Sequence, residues 1–317
     1  MFRYILKRLL FMIPIVLGVA VLIFTLMYFT PGDPAIIILG SNASQEQLET
    51  KREELGLNDG YLSRLGDYMK SVFLEFDFGN SYINGKSVSQ EIRSRFPRTC
   101  AIAFFSVLLA VSIGMPLGIL AAVNQHSWKD SFCMFVALIG VSMPGFWVGL
   151  MLVLLFALKL GWLPPSGIAN FKCYIMPCIA CSLGGMAMTA RQTRSSMLEV
   201  IRSDYVVTAR AKGLSERKVI YRHALRNALI PVVTEAGTSF GLMLGGALVI
   251  ETVFTIPGLG TYMCNAISSR DYPAIQGAVI FLSITFSLVM LLVDIIYAFI
   301  DPRIKSQYQG GSRRKKT

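Results

Sequence analysis

The sequence predicts an all-α, polytopic membrane protein with about six transmembrane helices. Hydrophobic residues make up 54% of its 317 residues and charged residues only 15%, a composition outside the usual range of soluble domains. Apolar runs of roughly the 20 residues that cross a bilayer lie near residues 9–30, 99–123, 132–159, 173–190, 229–250 and 275–300. Glycines and prolines interrupt some of these runs.

The first run, within residues 1–30, superficially resembles a secretory signal, because basic residues precede it. It is too long and has no small-residue cleavage site, so we predict an uncleaved first transmembrane helix. Basic residues then predict the orientation, since they accumulate in cytoplasmic segments, and both termini are expected in the cytoplasm. The residues used are Arg3, Lys7, Arg8, Lys129, the cluster from Arg191 to Arg226, Arg303, Lys305 and Arg313–Lys316.

The net charge of +11 raises the question of nucleic-acid binding. Membrane topology accounts for the excess, because the basic residues lie in segments that stay inside and can face lipid headgroups. We therefore expect lipid contact and no nucleic-acid partner, with nucleic-acid binding as a minor alternative.

Residues 31–98 are predicted to form an extracytoplasmic segment with short helices. Ser44 and Gln47 have the spacing of a capping box, which predicts a helix that runs to Leu55 and stops at Gly56. A second helix is expected over residues 61–74. Its apolar side would consist of Leu62, Leu65, Met69 and Val72.

Residues 99–317 are predicted to form the core transmembrane domain. Glycines and prolines within the second and third spans favour close helix packing, although kinks that flex as a pathway opens are an alternative. Gly237, Gly241 and Gly245 recur every four residues in the fifth span. This glycine face suits either tight helix contact or a narrow lumen wall.

No enzyme motif is found in the sequence. It contains no GxxxxGK[ST] phosphate loop, no HExxH and no GxSxG, so we expect no catalytic residue and no cofactor in this chain, and any ATP hydrolysis in another chain. Cys178 and Cys181 form a CxxC pair, but only two histidines exist and neither is near in sequence. The six cysteines are read as buried small hydrophobes rather than as a metal site or a disulfide framework.

Three carboxylates lie inside apolar spans, where an unpaired charge costs about 3 kcal/mol or more. For Glu235 and Asp294, a position near an interface or a pairing with a neighbouring helix is at least as good an interpretation as a functional role. Glu251 is the best of the three for lining a solute path. The candidate path residues are Glu251, Gly245 and Gly246.

The stretch from Asp204 to Pro231 is a polar interruption between apolar runs. Nine lysines and arginines and three acidic residues lie between Arg191 and Arg226. Residues 204–212 are compatible with a helix, Gly213 suits the position after a helix where φ is positive, and Ser215 can begin a second helix. Two short helices joined by a glycine turn are therefore predicted. A solvated loop is the plain alternative, but the alanines and the defined turn favour a surface that fits a partner.

Thr208-Ala209 followed by Gly213 resembles the coupling loop of ABC-importer permeases, whose pattern is Glu-Ala-Ala, three residues, Gly, nine residues, then Ile-x-Leu-Pro. Val207 and Thr208 replace Glu and Ala, and the proline comes late, at Pro231. The form ARAKGLSERKVIYRHALRNALIPVVT is similar to the dipeptide/oligopeptide/nickel branch. Other stretches similar to that branch are PGDP at 31–34, ELGL at 54–57, DFGNS at 77–81, SMP at 142–144, TRSSML at 193–198, PGLG at 257–260, RDYP at 270–273 and DPR at 301–303. Gly60 departs from the branch, which often has proline there.

This resemblance implies a type I ABC importer permease (MetI-like) fold in a bacterial or archaeal cytoplasmic membrane. It implies a second homologous permease subunit, two ABC ATPase subunits and an extracytoplasmic solute-binding protein as partners. The coupling loop would span residues 191–228, with a coupling helix near Leu214–Arg222. Its expected contact residues are Thr208, Ala209, Ala211, Gly213, Leu214, Ser215, Glu216 and Arg217.

The resemblance implies short peptides as the solute. A nickel or metallophore permease of the same branch is the alternative. A secondary transporter that couples to protons through Glu251 or Asp294 is a second one, although no inverted repeat is visible in the sequence.

Overall fold

A computed structural model describes residues 2–40 and 42–300, and in these residues the chain is almost entirely helical. Two segments of the described chain are π-helical, Val153–Lys159 and Val219–Ala224. The helices are α1 (Phe2–Phe29), α2 (Pro34–Leu39), α3 (Gln45–Glu54), α4 (Tyr61–Phe73), α5 (Val88–Val123), α6 (Trp128–Ser142), α7 (Gly145–Leu152), α8 (Lys172–Ile201), α9 (Asp204–Ala211), α10 (Glu216–Lys218), α11 (Leu225–Gly246), α12 (Leu248–Val253), α13 (Leu259–Ser269) and α14 (Tyr272–Ile300).

Within residues 2–40 and 42–300, five stretches of helix are long and apolar enough to cross a membrane: Ile5–Phe29, Val88–Val123, Lys172–Ile201, Glu216–Gly245 and Tyr272–Ile296. The helix α6 and the helix that follows it, α7 with its π-helical continuation to Lys159, are long and apolar enough to cross a membrane only when taken together. They are bent by 92° at the break between them. The number of spans is therefore six if this bent pair counts as one. The expectation of about six spans, some of them interrupted, is confirmed in that form.

The bend between α6 and α7 occurs at Met143 and Pro144. Met143 has an extended backbone (φ −92°, ψ 124°), as is favoured for a residue before proline, and Pro144 begins the next helix. The third apolar run is thus two helices at nearly a right angle rather than one kinked helix. Periodicity could not show this, because both halves are uniformly apolar.

The chain divides into two compact units that are discontinuous in sequence, whereas the expected domains were continuous. The larger unit consists of Met1–Leu9, Cys100–Ile256 and Phe286–Thr317, and the smaller unit of Leu10–Thr99 and Pro257–Thr285. Residues 257–285 therefore cluster with residues 10–99.

The short helices of the smaller unit follow their capping residues. Ser44 Oγ accepts the amide of Gln47, whose side chain accepts the amide of Ser44, so the predicted capping box is confirmed. The helix ends at Glu54, and Gly56 follows with φ +62°. Arg52 donates to Asp33, which caps α2, and to Glu49.

The second short helix, α4, has the predicted bounds to within one residue, but Leu62 does not face inward. Its side chain is 79% exposed, whereas Val72 is buried against α1 and α14. Tyr61 occupies the inward position instead, with its ring 5.7 Å from that of Phe24. Tyrosine is amphipathic and packs as well as leucine at this position. The hydrophobic pattern of the sequence therefore could not show that Tyr61, rather than the adjacent Leu62, faces inward.

A buried carboxylate fastens the loop before α5 to the start of α14. Asp271 is 4% exposed and accepts from Ser81 Oγ at 2.5 Å and from the amide of Tyr82 at 3.0 Å. The two hydrogen bonds join the loop to α14 through a single side chain.

In the larger unit, glycines let helices meet closely. A Cβ on Gly118 would lie 2.5 Å from the carbonyl oxygen of Ala190 on α8. The first two glycines of the predicted glycine face, Gly237 and Gly241, are covered by Val293 and Phe286 of α14, while around Gly245 a Cβ would meet no atom within 4 Å. Tight helix contact is therefore the role of the first two glycines.

The intramembrane carboxylates have helix partners. Asp294 forms an ion pair with Arg8 of α1, in which Nε and Oδ2 are 3.0 Å apart. Glu235 accepts from Ser239 Oγ within its own helix at 3.2 Å. Pairing with a neighbouring helix is therefore found for Asp294, whereas the contact of Glu235 lies within its own helix.

We predict that Gly118→Ala destabilises the fold. The added methyl group would clash with backbone, an overpacking that costs about 1–3 kcal/mol, more than the gain in helix propensity of about 1 kcal/mol. Gly184→Ala in α8 is the matched control, because a Cβ there meets nothing within 4 Å. Thermal unfolding of the detergent-solubilised chain should show a lower midpoint for Gly118→Ala only. Equal midpoints would refute the close approach.

Candidate functional site

The polar stretch after α8 folds as two short helices joined by a tight turn. We call α9, the turn Lys212–Ser215 and α10 with its π-helical continuation to Ala224 the coupling segment. The turn is built on Gly213, which has φ +75° and whose amide donates to the carbonyl of Arg210 at 2.9 Å. Glycine adopts this φ without strain, whereas most other residues do not. The predicted helix–glycine–helix arrangement is confirmed.

An ion pair spans the turn of the coupling segment. Arg210 Nε lies 2.8 Å from Glu216 Oε1, and Arg210 Nη2 donates to Glu216 Oε2 at 3.4 Å. Because both side chains are exposed, the pair contributes at most about 1 kcal/mol. It holds the two helix ends together rather than stabilising the whole unit.

The coupling segment rests on a buried apolar layer that we call the base cluster. Val206 and Val219 are fully buried in it, and Ala209 is 6% exposed. The cluster joins three neighbouring helices to the coupling segment. Its buried members are Ile119 and Ala122 of α5, Met197 of α8, Val206 and Ala209 of α9, Val219, Ile220 and Ala224 of the π-helical segment, and Ala228 of α11.

The predicted contact residues divide into two groups. Ala209 is buried and Leu214 is half-buried against the base cluster, so these two support the segment from below. The other six form the exposed surface of the coupling segment: Thr208, Ala211, Gly213, Ser215, Glu216 and Arg217. Ser215 has the extended backbone of a capping residue, but its side chain makes no capping hydrogen bond.

The exposed surface of the coupling segment is strongly basic. Lys212, Arg217, Lys218 and Arg222 are exposed and form no ion pair within the described residues. The segment has two exposed acidic residues, Asp204 at the start of α9 and Glu216, and Glu216 is already engaged by Arg210. The electrostatic potential of the exposed surface is therefore positive, which favours binding to an acidic partner surface.

A buried ion pair, missed by the sequence analysis, anchors the helix that leads into the coupling segment. Arg194 of α8 binds Asp130 through two hydrogen bonds of 2.7 Å, and Asp130 is 5% exposed. The amide of His126 also donates to Asp130, at 3.1 Å, and Arg202 donates to Gln125. The loop between α5 and α6 is thereby fixed to α8. The acidic residue Asp130 beside an apolar span was the available sign of an ion pair. Its partner Arg194 is 64 positions away in sequence, so the pair could not be identified.

The candidate path residues lie in different surroundings. Glu251 is completely buried, so its side chain does not line an open surface in this conformation. Gly245 faces open space. Gly246 lies in α11, but its surroundings fall outside the described residues.

In the described part of the chain, no three His, Cys, Asp or Glu side chains lie close enough together to hold a metal ion. The six cysteines are all free thiols. Cys178 is buried in α8.

Comparison with known proteins gives a consistent result over the whole chain. Residues 114–306 match the family described as "Binding-protein-dependent transport system inner membrane component", and residues 1–103 match the N-terminal family of the same membrane components. The chain is 42% identical to the dipeptide transport system permease protein DppB of Alkalihalophilus pseudofirmus, covering 96% of this chain and 100% of the relative.

Two further comparisons agree. The glutathione transport system permease protein GsiC of Salmonella typhimurium is 43% identical, with 96% of this chain and 99% of the relative covered. Among solved structures, the inward-facing MetNI methionine ABC transporter matches with a TM-score of 0.57 at 18% identity, covering 67% of this chain and 97% of that chain. The structural likeness shows the fold alone.

We predict that Arg194→Gln destabilises the larger unit by about 1–3 kcal/mol, because it leaves the buried Asp130 carboxylate without its bidentate partner. Arg210→Gln is the matched control, since its ion pair is exposed, and it should cost less than about 1 kcal/mol. Chemical denaturation of the purified chain measures both. The account of the anchor fails if the two variants lose equal stability, or if Asp130→Asn added to Arg194→Gln restores none of the loss.

Proposed function

The chain belongs to the family of binding-protein-dependent transport system inner membrane components, and from this premise we propose that it forms half of the translocation pathway of an ATP-driven importer of short peptides. Matches over residues 1–103 and 114–306 and the apolar spanning helices support a permease subunit. The observation that carries the mechanism is the coupling segment, a rigid, basic projection on a buried apolar base.

ATP hydrolysis belongs, in this proposal, to separate ATPase subunits. The sequence contains no phosphate-binding loop of the GxxxxGK[ST] type, so the energy must arrive through a protein contact. A short helix held by a glycine turn can transmit a displacement only if it moves as a body with the rest of the permease. The base cluster supports such movement, because it packs α5, α8 and α11 against the coupling segment.

The docking contact would use the exposed surface of the coupling segment. Thr208, Ala211 and Gly213 have small side chains or none, which allows close approach, while Arg217 and its basic neighbours meet an acidic ATPase surface. Ala209 and Leu214 would act indirectly, by holding this surface in place. No cofactor of the chain's own is required.

The orientation of the chain in the membrane follows from the proposed contact between the coupling segment and the ATPase. ATPases of this kind bind ATP in the cytoplasm, so the coupling segment and both termini would be cytoplasmic, in agreement with the basic residues that surround the segment. Residues 31–98 would then help to receive the extracytoplasmic binding protein. A second homologous permease and two ATPase subunits would complete the assembly in the cytoplasmic membrane.

The path would pass beside α11 near Gly245, where no side chain fills the space. Gly246 follows Gly245 in α11 and stays a proposed path residue, and the buried Glu251 would stabilise the path from within rather than contact the solute. Short peptides are the proposed cargo because the named relatives transport a dipeptide and glutathione. Nickel or a metallophore is the alternative cargo, and proton-coupled secondary transport is the alternative mechanism.

Gly213→Asp tests the docking contact. Aspartate tolerates positive φ better than most residues, and a Cβ at Gly213 meets nothing within 4 Å, so the isolated chain should keep its fold and insert normally. The new carboxylate would nevertheless occupy the closest contact with the acidic partner. We expect loss of ATPase co-purification and of dialanine uptake.

Gly161→Asp is the matched control. Gly161 is also exposed, also lies at positive φ (+65°) and also has open space around it, but it is outside the coupling segment. It should retain both ATPase binding and uptake. Full co-purification of the Gly213→Asp variant would overturn the docking assignment, and uptake that persists without ATPase subunits would favour a secondary transporter.

A further inference from the structure

The smaller unit contains a cavity of about 350 Å³ where α1 ends and α14 begins. It lies within the volume range of small-molecule sites, about 300–1,000 Å³. Aromatic side chains from both helices and from α4 form much of its wall, among them Tyr28, Tyr68 and Tyr272. Polar and charged groups complete the wall, so the cavity is not merely a packing defect of apolar helices.

One arginine in this wall has no acidic partner. The guanidinium of Arg64 lies over the ring of Tyr28, with its central carbon 5.1 Å from the ring centroid, and the side chain is half-buried. It forms no ion pair within the described residues, whereas Arg52 of the same unit binds two carboxylates. A guanidinium that is restrained by an aromatic ring and has no ion pair is available to bind a carboxylate.

Two carboxylates in the same wall are also unused. The side chains of Asp59 and Asp67 form no hydrogen bond or ion pair within residues 2–40 and 42–300, although Asp67 is three positions from Arg64 on α4 and could reach it. Asp77, the third carboxylate of the wall, instead accepts the amide of Gly79. The cavity thus contains opposite charges that do not neutralise each other.

The cavity wall also has an unsatisfied hydroxyl. The phenol oxygen of Tyr68 is buried and has no hydrogen-bond partner in the described part of the chain. Burial raises the pKa of this phenol, so it remains a neutral donor. A buried polar group without a partner is costly and is expected where a ligand supplies the missing partner.

We propose that this cavity binds a small zwitterion of dipeptide size, with its carboxylate on Arg64 and its ammonium group on Asp59 and Asp67. The aromatic rings would contact the apolar part of the solute and add a cation–π contribution to the ammonium group. The binding site itself follows from the cavity. Its role as a waiting position for cargo that enters the pathway rests on the proposed function.

The test is direct binding to the assembled transporter in nanodiscs, without ATP and without binding protein. Dialanine is the probe, and saturation-transfer NMR titration gives its dissociation constant. Arg64→Gln should weaken dialanine binding about tenfold or more, because a charge-assisted hydrogen bond is lost. Arg93→Gln is the control, since Arg93 is an exposed arginine of α5 outside the cavity, and it should change binding less than twofold.

Changing the probe separates the two charges. Dialanine amide lacks the carboxylate, so Arg64→Gln should leave its affinity within about twofold while Asp67→Asn still weakens it. N-acetyl-dialanine lacks the ammonium group and should respond to Arg64→Gln but not to Asp67→Asn. Each variant should keep the unfolding midpoint of the parent protein.

Two results would overturn the proposal: dialanine binding that is unchanged in Arg64→Gln, or equal binding of a probe blocked at both ends. Either could occur while ATP-dependent dialanine uptake persists, in which case the cavity inference fails and the transport function stands. Arg64-dependent binding without ATP-dependent uptake would support the site and contradict the transport proposal.

Discussion

The arrangement of the larger unit depends on the burial of the base cluster. A coupling segment of about twenty residues is too short and too polar to hold a defined shape alone, since isolated helices of fewer than about 12 residues are marginal in water. Burying side chains such as Val206 and Val219 stabilises by about 1.5–3 kcal/mol each. These contacts determine where the Gly213 turn projects, and the Arg210–Glu216 ion pair adds only a local restraint.

The base cluster also explains why the loop between α5 and α6 matters. Ile119 and Ala122 of α5 belong to the cluster, and the next loop is fixed to α8 by the bond between Asp130 and Arg194. A displacement of the coupling segment would therefore reach α5, α8 and α11 together. Protein interiors are close-packed and resist deformation. Movement of the coupling segment and these three helices as one body is therefore the physically favoured response to a pull from an ATPase partner.

Local chemistry could be predicted from the sequence, and long-range pairing could not. The capping box at Ser44 and the positive φ of Gly213 follow from rules that involve three or four neighbouring residues, and both are correct. The Asp130–Arg194 pair, the inward Tyr61 in place of Leu62, and the burial of Glu251 depend on neighbours far away in sequence. The 92° bend at Pro144 could be predicted in part, because a proline indicates where a helix breaks but not at what angle the two halves meet. The candidate site residues could be named from the sequence, but which of them are exposed and which are buried could not be.

Amide hydrogen exchange over residues 204–224, measured for the permease alone and after addition of its ATPase subunits, tests the central claim most directly. The account predicts that the amides around Val206 and Val219 are already protected in the permease alone, because the base cluster is formed before docking. Residues 211–218 should gain protection only when the ATPase binds. Fast exchange throughout the segment in the free permease, or ATPase binding that protects another region and leaves residues 211–218 unchanged, would contradict the account.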